Sequence, residues 1–126
     1  MEEGLIEEIS RHLIQRGFLV RKHTLVIPGK SQYGEMDLWA TKGSTIYEVE
    51  CKFINRTNPT QKRKKVKEQA LNYASILKWK YPDKSVFAFA CTNEGLQKLG
   101  EVGPERALLW FQHVGLTAAN LRPPRR

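Results

Sequence analysis

The chain lacks the features that would send it across a membrane, tie it with disulfides or build a metal cluster. No apolar run approaches the ~18 residues needed to span a bilayer, so no membrane partner is expected. It has 2 cysteines, Cys51 and Cys91, inside apolar segments without partner histidines. That is too few for an iron–sulfur cluster or a structural zinc site, and it suits buried thiols of a cytoplasmic protein. The opening Met1-Glu2-Glu3-Gly4 is acidic where a secretion signal would be basic. Negative charge is scarce: Asp plus Glu is 13 against 21 Lys plus Arg, leaving a net charge of +8 and a pI near 9.7. A nucleic-acid binder carries such a charge, and so does a protein meeting an anionic surface or a merely soluble basic one.

What is present is ordinary globular composition. Hydrophobic residues make up 40% and charged residues 27%, which excludes wholesale disorder. At 126 residues the chain is expected to form one domain, residues 1–120, followed by a basic Pro/Arg tail at 121–126. Leu5, Ile6, Ile9, Leu13 and Ile14 predict an amphipathic helix over 3–16, stopped by Gly17. Strands are expected over 18–27, 35–40 and 45–53, the last two joined by a turn at Lys42-Gly43-Ser44. A long helix follows from Asn58-Pro59 to about Tyr81. The nearly all-apolar run 85–91 predicts a buried strand, 94–99 a short helix and 107–111 a last strand. The order αβββαβ implies an α/β fold with a central mixed β-sheet flanked by helices.

Several common site patterns fail. Pro28-Gly29-Lys30-Ser31 resembles the end of a phosphate-binding loop, but Thr24 stands where the first glycine is needed, so no nucleotide cofactor is expected. His12, His23 and His113 share no ligand spacing. The mid-strand cysteines read as inert core.

One constellation does not fail. Alternation along a strand places Glu35 with Asp37, and Glu48 with Glu50 and Lys52. A two-residue Gly43-Ser44 turn, or a four-residue loop from Lys42 to Thr45, sets Asp37 opposite Glu50. A three-residue loop would set Asp37 opposite Val49, diagonal to Glu50. Directly opposed carboxylates lie only ~4.5–5.5 Å apart at Cβ and repel unless a proton or cation joins them. Mg²⁺ takes such a pair together with water and phosphate oxygens. Lys52, on the same face, could then offset charge developing on a phosphate. Glu35 and Glu48 by themselves read as solvent-facing charge.

Asp37 followed by Glu50-Cys51-Lys52 on a hairpin after an N-terminal helix resembles the PD-(D/E)xK nuclease superfamily. That superfamily includes Holliday-junction resolvases, RecB-type nucleases and restriction endonucleases. Gly34-Glu35-Met36-Asp37-Leu38 is similar to the G-E-(I/V)-D-(L/I) variant of its motif, with Met36 where the named proline would stand. The resemblance spans roughly residues 3 to 91. It implies a restriction-endonuclease-like core and a phosphodiesterase dependent on Mg²⁺ or Mn²⁺. Asp37, Glu50 and the Cys51 carbonyl would be metal ligands, and Lys52 the catalytic lysine. Gln69-Ala70-Leu71-Asn72-Tyr73 is similar to the Q-x-x-x-Y motif of the RecB-type branch. There Gln69 would fall within a buried stripe of Val66, Ala70, Tyr73, Ala74 and Leu77 and need a hydrogen-bond partner at the site. The resemblance also implies an acidic residue of the first helix facing the metal. Glu7 is the choice, with Glu3 and Glu8 as alternatives.

Lys62-Arg63-Lys64-Lys65 and Lys67 crowd the first turns of the long helix, where cations oppose the helix dipole. Phosphate binding would account for them, with Lys30, Arg56 and Tyr73 extending the surface. The expected function is a metal-dependent DNA nuclease acting on branched, flapped or single-stranded DNA. A homodimer would supply two cuts at a junction. A non-catalytic nucleic-acid-binding module on the same fold is the alternative.

Overall fold

The computed structural model describes residues 2–26 and 34–106. Helix α1 (Glu2–Gln15) buries Ile6, Ser10 and Leu13, the spacing a 3.6-residue period demands. It ends where Gly17 adopts φ +88°, a left-handed cap that only glycine takes cheaply. There the N–H groups of Gly17 and Phe18 donate to the carbonyls of Ile14 and Leu13.

Strands β1 (Leu19–Val26), β2 (Gly34–Lys42) and β3 (Thr45–Lys52) pair antiparallel in sequence. Helix α2 (Pro59–Lys80) crosses over to β4 (Ser85–Thr92), which lies parallel to β3, and β5 (Gly95–Val102) returns antiparallel. Among the described residues the sheet has five strands in the order β1-β2-β3-β4-β5. Helix α1 covers one face over Leu38, Ala40, Val49, Cys51 and Cys91. Helix α2 covers the other, packing Ala70, Ala74 and Leu77 on Ile46, Val86 and Ala88. The result is an α/β fold, a mixed sheet between helices, as the apolar patterning predicts.

The hairpin turn has two residues, since Lys42 pairs with Thr45. Asn58 precedes α2 as expected, yet it adopts a left-handed conformation and makes no side-chain cap hydrogen bond.

Residues 94–99 correct the sequence reading: they are not a helix but the turn into β5 and its first half. Leu96 and Leu99 have helical spacing, but so short a segment cannot hold a helix alone. The open edge of β4 captures it instead, from Thr92↔Gly95 to Val86↔Val102. The register shifts between Ala88 and Phe89, and Leu99, opposite that irregularity, packs against the α2-side core. The strand expected at 107–111 lies outside the described residues.

Helix α2 meets β2 where Tyr73 packs against Gly34. A Cβ at Gly34 would overlap the Tyr73 hydroxyl and crowd its ring. Gly34→Ala should therefore lower unfolding free energy by about 1–3 kcal/mol. Tyr73→Phe in the same chain should recover part of that loss. Chemical denaturation of the two variants measures both effects, and an unaltered midpoint for Gly34→Ala would refute the contact.

Candidate active site

The site begins as a break in the strand ladders. β1 and β2 keep one register throughout, but His23 and Asp37 drop out of the pairing. His23 has φ +53°, an uncommon conformation for a residue with a side chain. The β2–β3 pairing runs only as far as Leu38↔Val49. Alternation resets there too. Met36 belongs to the α2-side core, whereas Leu38 and Ala40 belong to the α1-side core.

Carboxylates take over the freed backbone donors. The N–H of Asp37 donates to Glu50 Oε2 at 3.1 Å, and the N–H of Cys51 donates to Asp37 Oδ2 at 2.8 Å. One further step of the hairpin register sets Asp37 opposite Glu50, as the two-residue turn requires. Each bond fixes one oxygen and the plane of its carboxyl group. The other oxygen of each is the one a cation could take.

Burial makes these groups reluctant to ionise. Glu50 is 3% exposed and its carboxyl is pushed up from 4.5 to about 8, chiefly by desolvation, with the Asp37 charge adding to it. Asp37 is raised by the same cause, opposed by the Cys51 N–H. Glu48 corrects the sequence reading. It is not solvent-facing but wholly buried beneath α2, and burial followed by the Glu50 charge lifts its carboxyl well above the usual range. Glu35, by contrast, is exposed and bonds His23.

Lys52 ends β3 half-exposed, its Nζ 3.3 Å from Glu2 Oε1. The same Glu2 oxygen accepts the Phe53 N–H at 3.4 Å, and the Glu2 charge is felt at Asp37. The α1 acid beside the site is therefore Glu2 and not Glu7, which pairs with Lys22 away from it. Glu3 bonds His23 Nε2, and Glu8 is exposed. Glu2 lies four residues before buried Ile6, so the α1 stripe already pointed to it.

The two halves of the Gln69–Tyr73 motif separate. Tyr73 lies at the site: burial and then the charges of Glu50, Glu48 and Asp37 push its hydroxyl up to about 12. Gln69 is exposed, one position off the buried stripe of Val66, Ala70, Ala74 and Leu77. The buried hydrogen-bond demand expected of it does not arise.

The basic residues of α2 divide as well. Lys64 and Lys65 are exposed, Lys67 is half-buried, and Arg56 is exposed in the loop before the helix. Lys62 donates to Asn55 Oδ1 at 2.6 Å, and Arg63 pairs with Glu94. Lys30 lies outside the described residues. The Cys51 thiol is held protonated by its hydrogen bond with Cys91 and by burial, which leaves it inert as expected.

Among the described residues no three His, Cys, Asp or Glu side chains gather as a metal-ligating set. Two facing, desolvated carboxyls beside the Cys51 backbone fit a hard divalent cation, which needs only one or two carboxylates and completes its shell with other oxygens. They do not fit a zinc site of sulfur and nitrogen.

The raised Glu50 carboxyl sets a pH dependence. The folded chain keeps this proton up to about pH 8, whereas the unfolded chain loses it near 4.5. Folding therefore takes up a proton in that window, and stability falls as pH rises across it. In EDTA, urea unfolding free energy should decline from pH 5 to pH 8, and Glu50→Gln should flatten the decline. A wild-type profile that rises over this range would overturn the assignment.

No family model matches the chain, and no curated protein does. A crystal structure described as a protein of unknown function, AF1548, is similar to it, with 30% identity and a TM-score of 0.35. The likeness covers 40% of this chain and 27% of that one.

Proposed function

We propose that the protein is a metal-dependent nuclease with a restriction-endonuclease-like core, hydrolysing phosphodiester bonds in DNA. The observation that carries this reading is the pair Asp37 and Glu50, each locked by a backbone N–H where β2 and β3 part. Lys52 stands two residues beyond Glu50 at the rim. In this reading Asp37, Glu50 and the Cys51 carbonyl hold Mg²⁺ or Mn²⁺. Such an ion supplies Lewis-acid polarisation of a phosphate oxygen and makes water more acidic.

The chain's own groups then have distinct tasks. Asp37 and Glu50 are oriented before substrate arrives, so no reorganisation is needed at the moment of reaction. The Lys52 ammonium, steadied by Glu2, lies where it can offset negative charge building on the phosphate. Tyr73 keeps its proton at neutral pH and supports the start of β2 from below. Glu48, uncharged, fills the space beside Glu50 without adding a second buried negative charge. The substrate in this reading is branched, flapped or single-stranded DNA. A homodimer would supply two symmetric cuts at a junction.

Asp37→Ala, Glu50→Ala and Lys52→Ala should each slow cleavage of labelled linear, flapped or four-way DNA by about 10²-fold or more. Binding of the same DNAs should stay within a few-fold. EDTA should stop the reaction, and Mg²⁺ or Mn²⁺ should restore it. Undiminished cutting by Glu50→Ala, or cutting in EDTA, would overturn the mechanism. Binding by the wild type without cleavage under any divalent cation would leave only a binding module.

The cations at the start of α2 are tested separately. Each lysine that meets a duplex phosphate releases condensed counterion, about 0.9 in the slope of log K against log salt. Replacing Lys62, Lys64 and Lys65 by Gln should weaken binding of all sequences alike and flatten that slope by roughly two to three. Thermal stability should hold or rise slightly, because cations leave the positive end of a helix dipole. An unchanged slope and affinity would show that DNA lies elsewhere.

A further inference from the structure

A cleft of about 210 Å³ opens between the first half of α2 and the β4–β5 hairpin, lined by Arg63, Lys67, Thr92, Glu94 and Gln97 among others. Ala90 and Thr92 form part of its wall, and they are the register partners of Glu50 and Lys52. Partners in adjacent parallel strands share a face and sit ~4.8 Å apart. The cleft is therefore one strand over from the candidate site, on the same side of the sheet.

Its polar lining suits a phosphate. Arg63, Lys67, the Thr92 hydroxyl and the Gln97 amide all present donors, and Glu94 is the one acid among the described residues that line it. Glu94 is held in a fork. Arg63 Nε donates to Oε1 at 2.7 Å and Nη2 donates to Oε2 at 2.6 Å. That two-point geometry is the one by which arginine also grips a phosphate. The two side chains are 43% and 46% exposed, so water can compete for both and the pair is easily exchanged. The turn itself is firmly placed. Asn93 Oδ1 accepts the Ile54 N–H at 2.7 Å, its Nδ2 donates to the Ile54 carbonyl, and the Glu94 N–H donates to Thr92 Oγ1. Only the Glu94 side chain has to swing for Arg63 to be released.

We propose that this cleft is a subsite for a backbone phosphate of the strand being cut, and that Glu94 occupies Arg63 until that phosphate displaces it. The proposal rests on the nuclease reading above. It makes Arg63 a cation withheld from the helix-start cluster and available only to a ligand that can replace a carboxylate. Loose counterions and weakly held nucleic acid would meet a neutral pair, and a phosphate seated beside the carboxylate site would meet a bare guanidinium.

The test is binding of fluorescently labelled single-stranded and four-way DNA to the full chain in Ca²⁺, by anisotropy. Glu94→Gln should tighten binding by about two- to five-fold, the range an exposed ion pair can hold back. Glu94→Asp keeps the charge but cannot reach the fork, and should tighten binding as well. Arg63→Gln should weaken binding and flatten the salt slope by about one. The double variant Arg63→Gln, Glu94→Gln should bind like Arg63→Gln alone. Unchanged affinity in Glu94→Gln would overturn the subsite. So would equal tightening by Glu94→Gln with and without Arg63, which would be a bulk charge effect. If neither the wild type nor any variant binds DNA, the nuclease reading falls with the subsite. If the wild type binds and cuts while Glu94→Gln changes nothing, the subsite alone falls.

Discussion

The paired bonds from the Asp37 N–H to the Glu50 carboxyl and from the Cys51 N–H to the Asp37 carboxyl are the interaction on which the candidate site depends. Buried N–H groups must find acceptors, and an orphaned one costs roughly 1–3 kcal/mol. Where β2 parts from β3 and the His23–Asp37 pair is missing from the β1–β2 ladder, the N–H groups of Asp37 and Cys51 turn to side chains. The Glu50 and Asp37 carboxylates accept them instead. The strands can part without leaving the backbone unsatisfied, and the two carboxyls are fixed in orientation by the same bonds. The strained partner is His23, whose left-handed conformation costs of order 1–3 kcal/mol for a residue with a Cβ. Its ring bonds to Glu3 and Glu35 hold that conformation in place.

The rest of the fold converges on this break. β3 and β4 form the one parallel pair among the described strands, and Glu50, Lys52 and Thr92 lie at their carboxyl ends. In α/β sheets that end is where chemistry gathers, because the crossover helix leaves a crevice there. The start of α1 delivers Glu2 from one side, and Tyr73 of α2 supports Gly34 from the other. The opposite end of the sheet is ordinary ladder and core. Cation and helix end meet there in the Lys42 bond to the Arg16 carbonyl.

Local rules made part of this legible and left part hidden. The facing of Asp37 and Glu50 followed from a two-residue turn and a period of two, both local properties of one hairpin. Residues 94–99 were misread because Leu96 and Leu99 satisfy a helical period, while the deciding partner is the edge of β4 with its own segment of chain. Glu48 shares a face with Glu50, and alternation said so. That α2 covers this face, excluding water from both carboxyls, depends on a crossover that no residue of the hairpin encodes. Glu2 was missed for a narrower reason. Starting the helix at residue 3 removed from the buried stripe the one acid that belongs to it. Gln69 went the other way, as a single 100° step along α2 carries it from the stripe to the surface.

The chemistry of the lock argues for more than architecture. An amide oxygen would accept either backbone bond as well as a carboxylate does, without the cost of burying charge. Asparagine at 37 and glutamine at 50 could thus serve the break in the ladder. Instead the chain places two carboxyls there, with a third, Glu48, buried alongside. Desolvation raises all three; the Asp37 charge adds to this at Glu50, the Glu50 and Asp37 charges at Glu48, and the Glu2 and Glu35 charges at Asp37. Raised carboxyls offset this by holding their protons to higher pH. A divalent cation could do the same by displacing them, and would gain from charge that the fold has no use for by itself. That cluster of buried carboxyls, set within a chain of net charge +8, is what the nuclease reading explains and a purely structural one does not.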